Sequence, residues 1–285
     1  MEKVGKDVVR FQVGDRVTAD ANLPCGTCYY CIRGEVQFCE NNRAYGQSLN
    51  GGFAQLVAVD ESLVYKVPDS VSLRAASMTE LVGCVYNCME RCSFKYGSEV
   101  LILGGGASGN LIAQMVKSSN AATVVVDCVD SKLERLKPIG VKTILADKDD
   151  PEVHEAVLKE QYPHGFDYII DTTANPKLIS RSLYLLKRGG TFVNYGFQNN
   201  MKVAEQVQID MKLFVTRQLS YLGTTFQHFK FPQTLKAMEE KRVDPELAIS
   251  EIRPLDDFFE CMDKVLYDPE TVKIVLEPNG SSEGM

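Results

Sequence analysis

The run Val100-Leu101-Ile102-Leu103 passes directly into Gly104-Gly105-Gly106-Ala107-Ser108-Gly109, and Asn110-Leu111-Ile112-Ala113-Gln114-Met115-Val116 follows with helical periodicity. Strand, Gly-x-Gly-x-x-Gly turn and helix in that order leave few folds open, because together they make a dinucleotide-binding βα corner. Gly104 permits the tight turn, Gly106 lets a pyrophosphate approach the N–H groups at the helix start, and Gly109 brings helix close to strand. Three glycines alone specify little. Asp127, eighteen residues past Gly109 at the end of the next apolar run, adds a carboxylate that can accept both ribose hydroxyl protons. A competing reading makes Asp127 the cap of the next helix, yet Ser131-x-x-Glu134 reads as a capping box for that role. Cys128 and Val129 bring no cation for a 2′-phosphate, so the sequence favours NAD over NADP.

Around this corner the chain alternates. Strand-like residues 100–103, 123–126, 167–170, 190–195 and 219–222 are interleaved with helical stretches 110–117, 132–137 and 176–187. The rhythm predicts an α/β fold with a Rossmann-type, doubly wound parallel sheet. The first ninety or so residues are richer in turns and short β-prone runs, including Val13-Gly14-Asp15-Arg16-Val17 and residues 53–59 after Asn50-Gly51-Gly52. Beyond residue 225 come a helix over 231–241, turns over 244–254, a helix over 255–267 and a strand over 271–276. The expected division is 1–82 as a partial, mostly β domain, 83–224 as the dinucleotide domain, and 225–285 as a segment returning to the first. The small, polar tail 280–285 is expected to fray.

Cys25-x2-Cys28-x2-Cys31-x7-Cys39 sets four thiols within fifteen residues, with Gly26 and Gly34 to turn the loop. Four thiolates suit tetrahedral zinc. An iron–sulfur reading is weaker because the last spacing is seven and no Pro follows, and a redox Cys-x-x-Cys leaves two cysteines without a role. A site closed by four sulfurs holds a loop together and does no chemistry. Cys84, Cys88 and Cys92 recur every four residues on a helical stretch, spread over about 12 Å of axis, too far for one ion. These three, with Cys128 and Cys261, read as small buried hydrophobes. His154, His164 and His228 lack a ligand-type partner nearby and read as surface or core residues.

Composition narrows the function. Thirty-one basic residues against 38 acidic ones leave a net charge of −7, and no positive field exists for a nucleic-acid backbone. The apolar runs are strand-sized, far below the roughly 18 residues a bilayer span needs, so no membrane partner is expected. The start Met1-Glu2-Lys3-Val4-Gly5 shows no apolar secretory core, and nine cysteines make an odd count for a disulfide framework. A reducing, cytoplasmic setting fits.

The cysteine lobe, the glycine corner and their order resemble the zinc-containing medium-chain alcohol and polyol dehydrogenases. Val13-Gly14-Asp15-Arg16-Val17, Gly51-Gly52-Phe53-Ala54, Thr79-Glu80-Leu81, Pro254-Leu255 and Lys273-Ile274-Val275-Leu276 extend the resemblance over nearly the whole chain, most closely to the fungal and bacterial polyol branch. The resemblance implies a GroES-like catalytic domain beside the Rossmann domain, a second, catalytic zinc, and hydride transfer from a sugar alcohol of the arabinitol kind to NAD, giving a ketose. It implies a small-molecule polyol substrate and a homo-oligomer formed through the sheet edge near residues 219–222. Glu80 matches the position at or beside the catalytic zinc, although Leu81 stands where the family has Pro. A glutamate that merely favours its helix dipole is the plainer reading. Lys273 matches a cation near the cofactor phosphates, and a solvated lysine is its plainer reading.

The family's catalytic zinc also takes a Cys from an early loop and a His from a Gly-His-Glu segment, and neither occurs in this sequence. The resemblance therefore implies a chain that starts just past that segment, with an incomplete first domain and exposed strand edges. One carboxylate does not retain zinc, since three protein ligands are the usual catalytic minimum. Two rivals to a working dehydrogenase follow. One is a non-catalytic NAD-binding pseudoenzyme or regulatory fragment, and the other is a redox or zinc sensor built on the cysteine lobe.

Overall fold

Residues 100–103 are apolar at every position because they run through the centre of a sheet covered on both faces. The computed structural model describes residues 1–196, 207–227 and 229–280, so His228 and tail residues 281–285 lie outside the described residues. The six-stranded sheet comprises β1 (Glu99–Leu103), β2 (Ala122–Asp127), β3 (Lys142–Leu145), β4 (Phe166–Asp171), β5 (Leu186–Asn194) and β6 (Ser220–Gly223). Its order is β3-β2-β1-β4-β5-β6, and every neighbouring pair is parallel. This is the doubly wound order, and the direction of winding reverses between β1 and β4. The crevice outside the carboxyl ends of those two strands is where such sheets bind ligands.

Alternation along each strand decides which side chains meet which helix. Leu101 and Leu103 join Val124, Ile169 and Phe192 in one cluster with Leu158 and Ile179, which come from helices Pro151–Gln161 and Pro176–Ser182. Val100 and Ile102 point the other way and are also fully buried. The helix Ala107–Ser118, which follows the glycine loop, packs against β1 and β2. β6 is an edge strand of the sheet.

Several elements differ from the sequence reading. The helix expected over 132–137 is Asp130–Glu134, followed by a 3-10 turn Lys137–Ile139. Pro138 has no N–H to continue the α-helix, and Gly140 then turns left-handed at φ 64°. The stretch 176–187 divides into the helix Pro176–Ser182, a 3-10 turn Leu183–Leu185, and the start of β5 at Leu186.

The chain separates into two compact units, one made of Met1–Asn87 with Phe226–Met285 and the other of Cys88–Thr225, which holds the sheet. The first unit carries only short ladders. Val17–Ala19 pairs antiparallel with Val64–Lys66, Asn22–Leu23 with Arg43–Ala44, and Glu251–Pro254 runs parallel to Ile274–Glu277. Residues 53–59, β-prone in sequence, form no strand. A strand exists only through its ladder partner, and among the described residues none lies beside this run. Phe53 and Leu56 are consequently 70% and 67% exposed.

Candidate cofactor and metal sites

At the carboxyl end of β1, Gly104 adopts φ +99°, and a Cβ there would stand 2.5 Å from Thr172 Oγ1. A Cβ on Gly109 would stand 1.8 Å from the carbonyl oxygen of Gly104, so helix and turn touch backbone to backbone. Gly106, the N-cap of Ala107–Ser118, is different: a Cβ there would meet nothing within 4 Å. The loop is thus packed tightly from behind and open in front, at a helix N-terminus whose first N–H groups lack intrahelical partners. That is a cradle for a diphosphate.

Asp127 ends β2 beside this loop. Its Oδ2 accepts the N–H of Gly105 at 2.6 Å and its Oδ1 accepts that of Val129 at 2.8 Å. The helix that follows begins at Asp130 with Val129 as N-cap and no side-chain cap, so Ser131 lies inside the first turn and the expected Ser131-x-x-Glu134 box does not form. Asp127 itself supplies the acceptor at that turn, and two loop N–H groups leave further lone pairs for a ribose.

Four residues were not singled out in the sequence. Thr172, just past β4, donates from Oγ1 to the carbonyl of Leu103 at 2.8 Å and so closes the turn from the neighbouring strand. Thr173 N and Oγ1 donate to the buried Asp171 at 3.1 and 2.7 Å, and burial pushes the Asp171 carboxyl above its usual range. A Cβ on Gly105 would stand 3.4 Å from the Lys132 Cβ and 3.5 Å from the Asp127 Cβ, so both side chains start beside the loop. A cation therefore stands one turn beyond Cys128 and Val129, out of reach of a reading that stopped at those two neighbours.

The sulfurs of Cys25, Cys28, Cys31 and Cys39 all lie within 4.8 Å of one another, with the 25–31 and 28–39 pairs at 4.0 Å. Tetrahedral zinc at about 2.3 Å from each sulfur sets them about 3.8 Å apart, so a contraction of up to about 1 Å at the widest separation closes the site. The N–H groups of Thr27 and Cys28 hold the Cys25 thiol down to about 6, while burial and the neighbouring thiols push Cys31 up to about 12. Four adjacent thiols cannot all ionise without a cation among them, and a dication supplies what the set lacks. Among the described residues no other group of three or more His, Cys, Asp or Glu side chains converges in this way.

Glu80 is the second residue of helix Thr79–Arg91 and is half-buried. Cys84, one turn on, donates its thiol to Glu80 Oε1 at 3.3 Å. Burial raises the Glu80 carboxyl, with a smaller push in the same direction from the Asp20 charge, against an opposing pull from Cys84 and the Lys273 ammonium. Leu81 continues the first turn of the helix without a break. Lys273 is exposed, just before the strand Ile274–Glu277, and its N–H donates to Ser250 Oγ. Cys88, Cys92 and Cys261 are buried as expected, Cys84 is half-buried, and Cys128 is exposed because it follows the strand end at Asp127. His154 is buried and His164 exposed.

Comparison with known proteins decides what these parts belong to. Residues 107–240 match the zinc-binding dehydrogenase family profile, and residues 1–69 match the alcohol dehydrogenase GroES-like domain. D-altritol 5-dehydrogenase of Agrobacterium fabrum is 30% identical over 278 residues, covering 95% of this chain and 79% of that protein. The chain belongs to the zinc-containing medium-chain alcohol and polyol dehydrogenases. D-arabinitol dehydrogenase 1 of Uromyces fabae is 29% identical over 278 residues, 96% of this chain and 78% of its own length. Among solved structures, a zinc-binding dehydrogenase-type protein of Sinorhizobium meliloti 1021 bound to NADP superposes with a TM-score of 0.86 at 26% identity, covering 97% of this chain and 80% of its own. An alcohol dehydrogenase of E. coli CFT073 solved with NADH gives 0.87 at 23% identity, covering 97% and 81%, a likeness of fold. As a medium-chain dehydrogenase the chain has zinc and a nicotinamide dinucleotide as its cofactors, which the thiol cluster and the glycine cradle fit, and small-molecule alcohols as its substrates. Among the described residues no helix is long and apolar enough to cross a membrane.

Proposed function

We propose that this chain is an NAD-linked dehydrogenase of sugar alcohols, oxidising a secondary hydroxyl to a ketone. The observation that carries the reading is the glycine cradle with Asp127 at its edge. Gly106 leaves room for the pyrophosphate, Gly104 and Gly109 hold the turn that presents the N–H groups, and Asp127 takes the ribose hydroxyl protons. Its negative charge opposes a 2′-phosphate, which sets NAD ahead of NADP despite the nearby Lys132. Lys273 is assigned to the phosphates of the cofactor. The polyol class rests on relatives named for arabinitol and altritol that align along nearly the whole chain.

Bound nicotinamide supplies the hydride acceptor. The hydroxyl proton must leave as the hydride does, and Glu80 is the candidate acceptor, since burial lifts its carboxyl toward the range where it can take a proton. Atoms then balance as polyol and NAD going to ketose, NADH and one proton. The described residues bring no third ligand to Glu80, so they do not fit a catalytic zinc, and no step is derived through one. The four-cysteine lobe is assigned a structural zinc. We further assign a cytoplasmic location and a homo-oligomer joined through β6.

The test is NADH formation from NAD with arabinitol and related polyols on zinc-loaded protein. Polyol-dependent NADH that is lost in Glu80→Gln supports the reading. Saturable NAD binding with no NADH from any polyol overturns it and leaves a dinucleotide-binding protein without chemistry.

A further inference from the structure

Residues 44–49, in the first unit, form a turn closed by its own backbone. The carbonyl of Ala44 accepts the N–H groups of Gln47, Ser48 and Leu49 at 3.1, 3.0 and 3.1 Å, Gly46 N donates to the carbonyl of Leu49 at 2.9 Å, and Ala44 N donates to Ser48 Oγ at 3.0 Å. These bonds stop at Leu49. Asn50 is exposed, and among the described residues no hydrogen bond engages its side chain or the N–H of Gly51.

Packing dictates the residue that follows. A Cβ on Gly51 would stand 2.7 Å from Gly46 Cα and 3.1 Å from Gly46 N, so two backbones touch and no side chain fits between them. The fold therefore sets a glycine, whose N–H no Cβ shields, directly after an untethered asparagine. Cγ, Cβ, Cα and C of Asn50 together with N of Gly51 span a five-membered ring. Intramolecular attack proceeds at a rate set by how often the reacting atoms meet in line, and no hydrogen-bond partner restrains this pair.

We propose that Asn50 is a site of self-modification, in which Gly51 N closes a succinimide on Asn50 Cγ and water opens the ring to aspartate or isoaspartate. Hydroxide takes the Gly51 N–H proton, the nitrogen lone pair bonds to Asn50 Cγ, and the Cγ–Nδ2 bond breaks. The departing nitrogen takes a proton from water and leaves as ammonia. A second water then adds across one ring C–N bond, hydroxyl to carbon and proton to nitrogen. Opening at Cγ gives aspartate on the original backbone, and opening at the main-chain carbon gives isoaspartate. Nothing is oxidised or reduced.

Either product adds one negative charge to a chain that already carries −7. Isoaspartate also lengthens the main chain by one atom, at the point where the Gly46 and Gly51 backbones touch, so the modified turn cannot keep that contact. The other end of the turn is Arg43–Ala44, paired with Asn22–Leu23 beside the cysteine lobe. Asn279-Gly280, the other Asn-Gly pair in the sequence, is tethered: Asn279 Nδ2 donates to the carbonyl of Gln55 at 3.2 Å, a bond that holds its amide in place.

The experiment ages the full chain, zinc-loaded, at mildly alkaline pH and follows peptides 44–66 and 274–285 by mass spectrometry, with synthetic peptides of the same two sequences aged alongside. A gain of about 1 Da at Asn50, with isoaspartate among the products and a rate within tenfold of that in the free peptide, is expected. Asn279 should be slowed more than Asn50, each measured against its own peptide. Asn50→Gln, which needs a six-membered ring, should abolish the mass change at that position. Gly51→Ala is no substitute for it, because the new methyl meets Gly46 Cα at 2.7 Å and disturbs the turn itself. No gain at Asn50 in the folded chain, a rate more than tenfold below the free peptide, or protection of Asn50 as great as that of Asn279 overturns the proposal. The readout uses neither cofactor nor substrate, so it stands or falls independently of the dehydrogenase reading.

Discussion

The Asp127 carboxylate and the Gly105 N–H are joined at 2.6 Å, which ties the end of β2 to the loop that follows β1. One side chain thereby fixes the shape of the cradle and presents negative charge at its rim. Asp127→Asn keeps an acceptor for the loop and removes the charge. The preference for NAD over NADP is expected to fall at least tenfold, about 1.4 kcal/mol, in paired binding titrations. An unchanged ratio would remove Asp127 from cofactor discrimination.

The two glycines flanking the helix start should fail differently. In Gly109→Ala the new methyl collides with the Gly104 carbonyl at 1.8 Å, so the loop must move, and destabilisation of about 1–3 kcal/mol with loss of dinucleotide binding is expected. In Gly106→Ala the methyl meets no protein atom within 4 Å. Thermal unfolding should be nearly unchanged while dinucleotide affinity drops at least tenfold, because the methyl occupies ligand space. Equal losses of stability in both variants would contradict the picture.

The thiol geometry predicts one zinc per chain by metal analysis, carried by the four-cysteine lobe. Strong chelator or Cys39→Ser should reduce it to near zero and lower the thermal midpoint, since metal binding contributes directly to folding of such a lobe. Two tightly held zinc ions per chain would show ligands that the described residues do not bring together.

His154 gives a pH signature. It is 5% exposed, its Nδ1 has no hydrogen-bond partner, and burial pulls its pKa below the usual 6.5. Glu155, Asp147 and Asp150 oppose that pull, and Arg181 adds to it. A depressed histidine stabilises the fold above its unfolded pKa, and that contribution is lost as pH falls through 6.5 toward the folded value. His154→Leu should therefore lose less stability than the unmutated chain between pH 7.5 and 5.5, by thermal melts at both. A steeper loss in the variant would reverse the sign.

The sheet was legible because its strands are buried on both faces, which writes unbroken apolar runs such as Val100–Leu103 into the sequence. The glycine loop was legible because Gly104 and Gly109 answer to contacts that no side chain tolerates. β3 was not, since Lys142 and Leu145 at its ends are exposed on an edge strand and give no continuous apolar run. Residues 53–59 carry a β pattern but no partner, and a ladder is a property of two segments. The Ser131 box failed for a related reason: Asp127, four residues earlier, already accepts the N–H of Val129, and the helix begins before Ser131 can cap it.

The central claim is that main-chain amides at Gly104–Gly109 cradle the diphosphate of a nicotinamide dinucleotide. Calorimetric titration of zinc-loaded protein with NADH tests it most directly. One saturable site per chain, weakened at least tenfold in Gly106→Ala, is predicted, and a well-folded chain that gives no heat with NADH or NAD at millimolar concentration would contradict it.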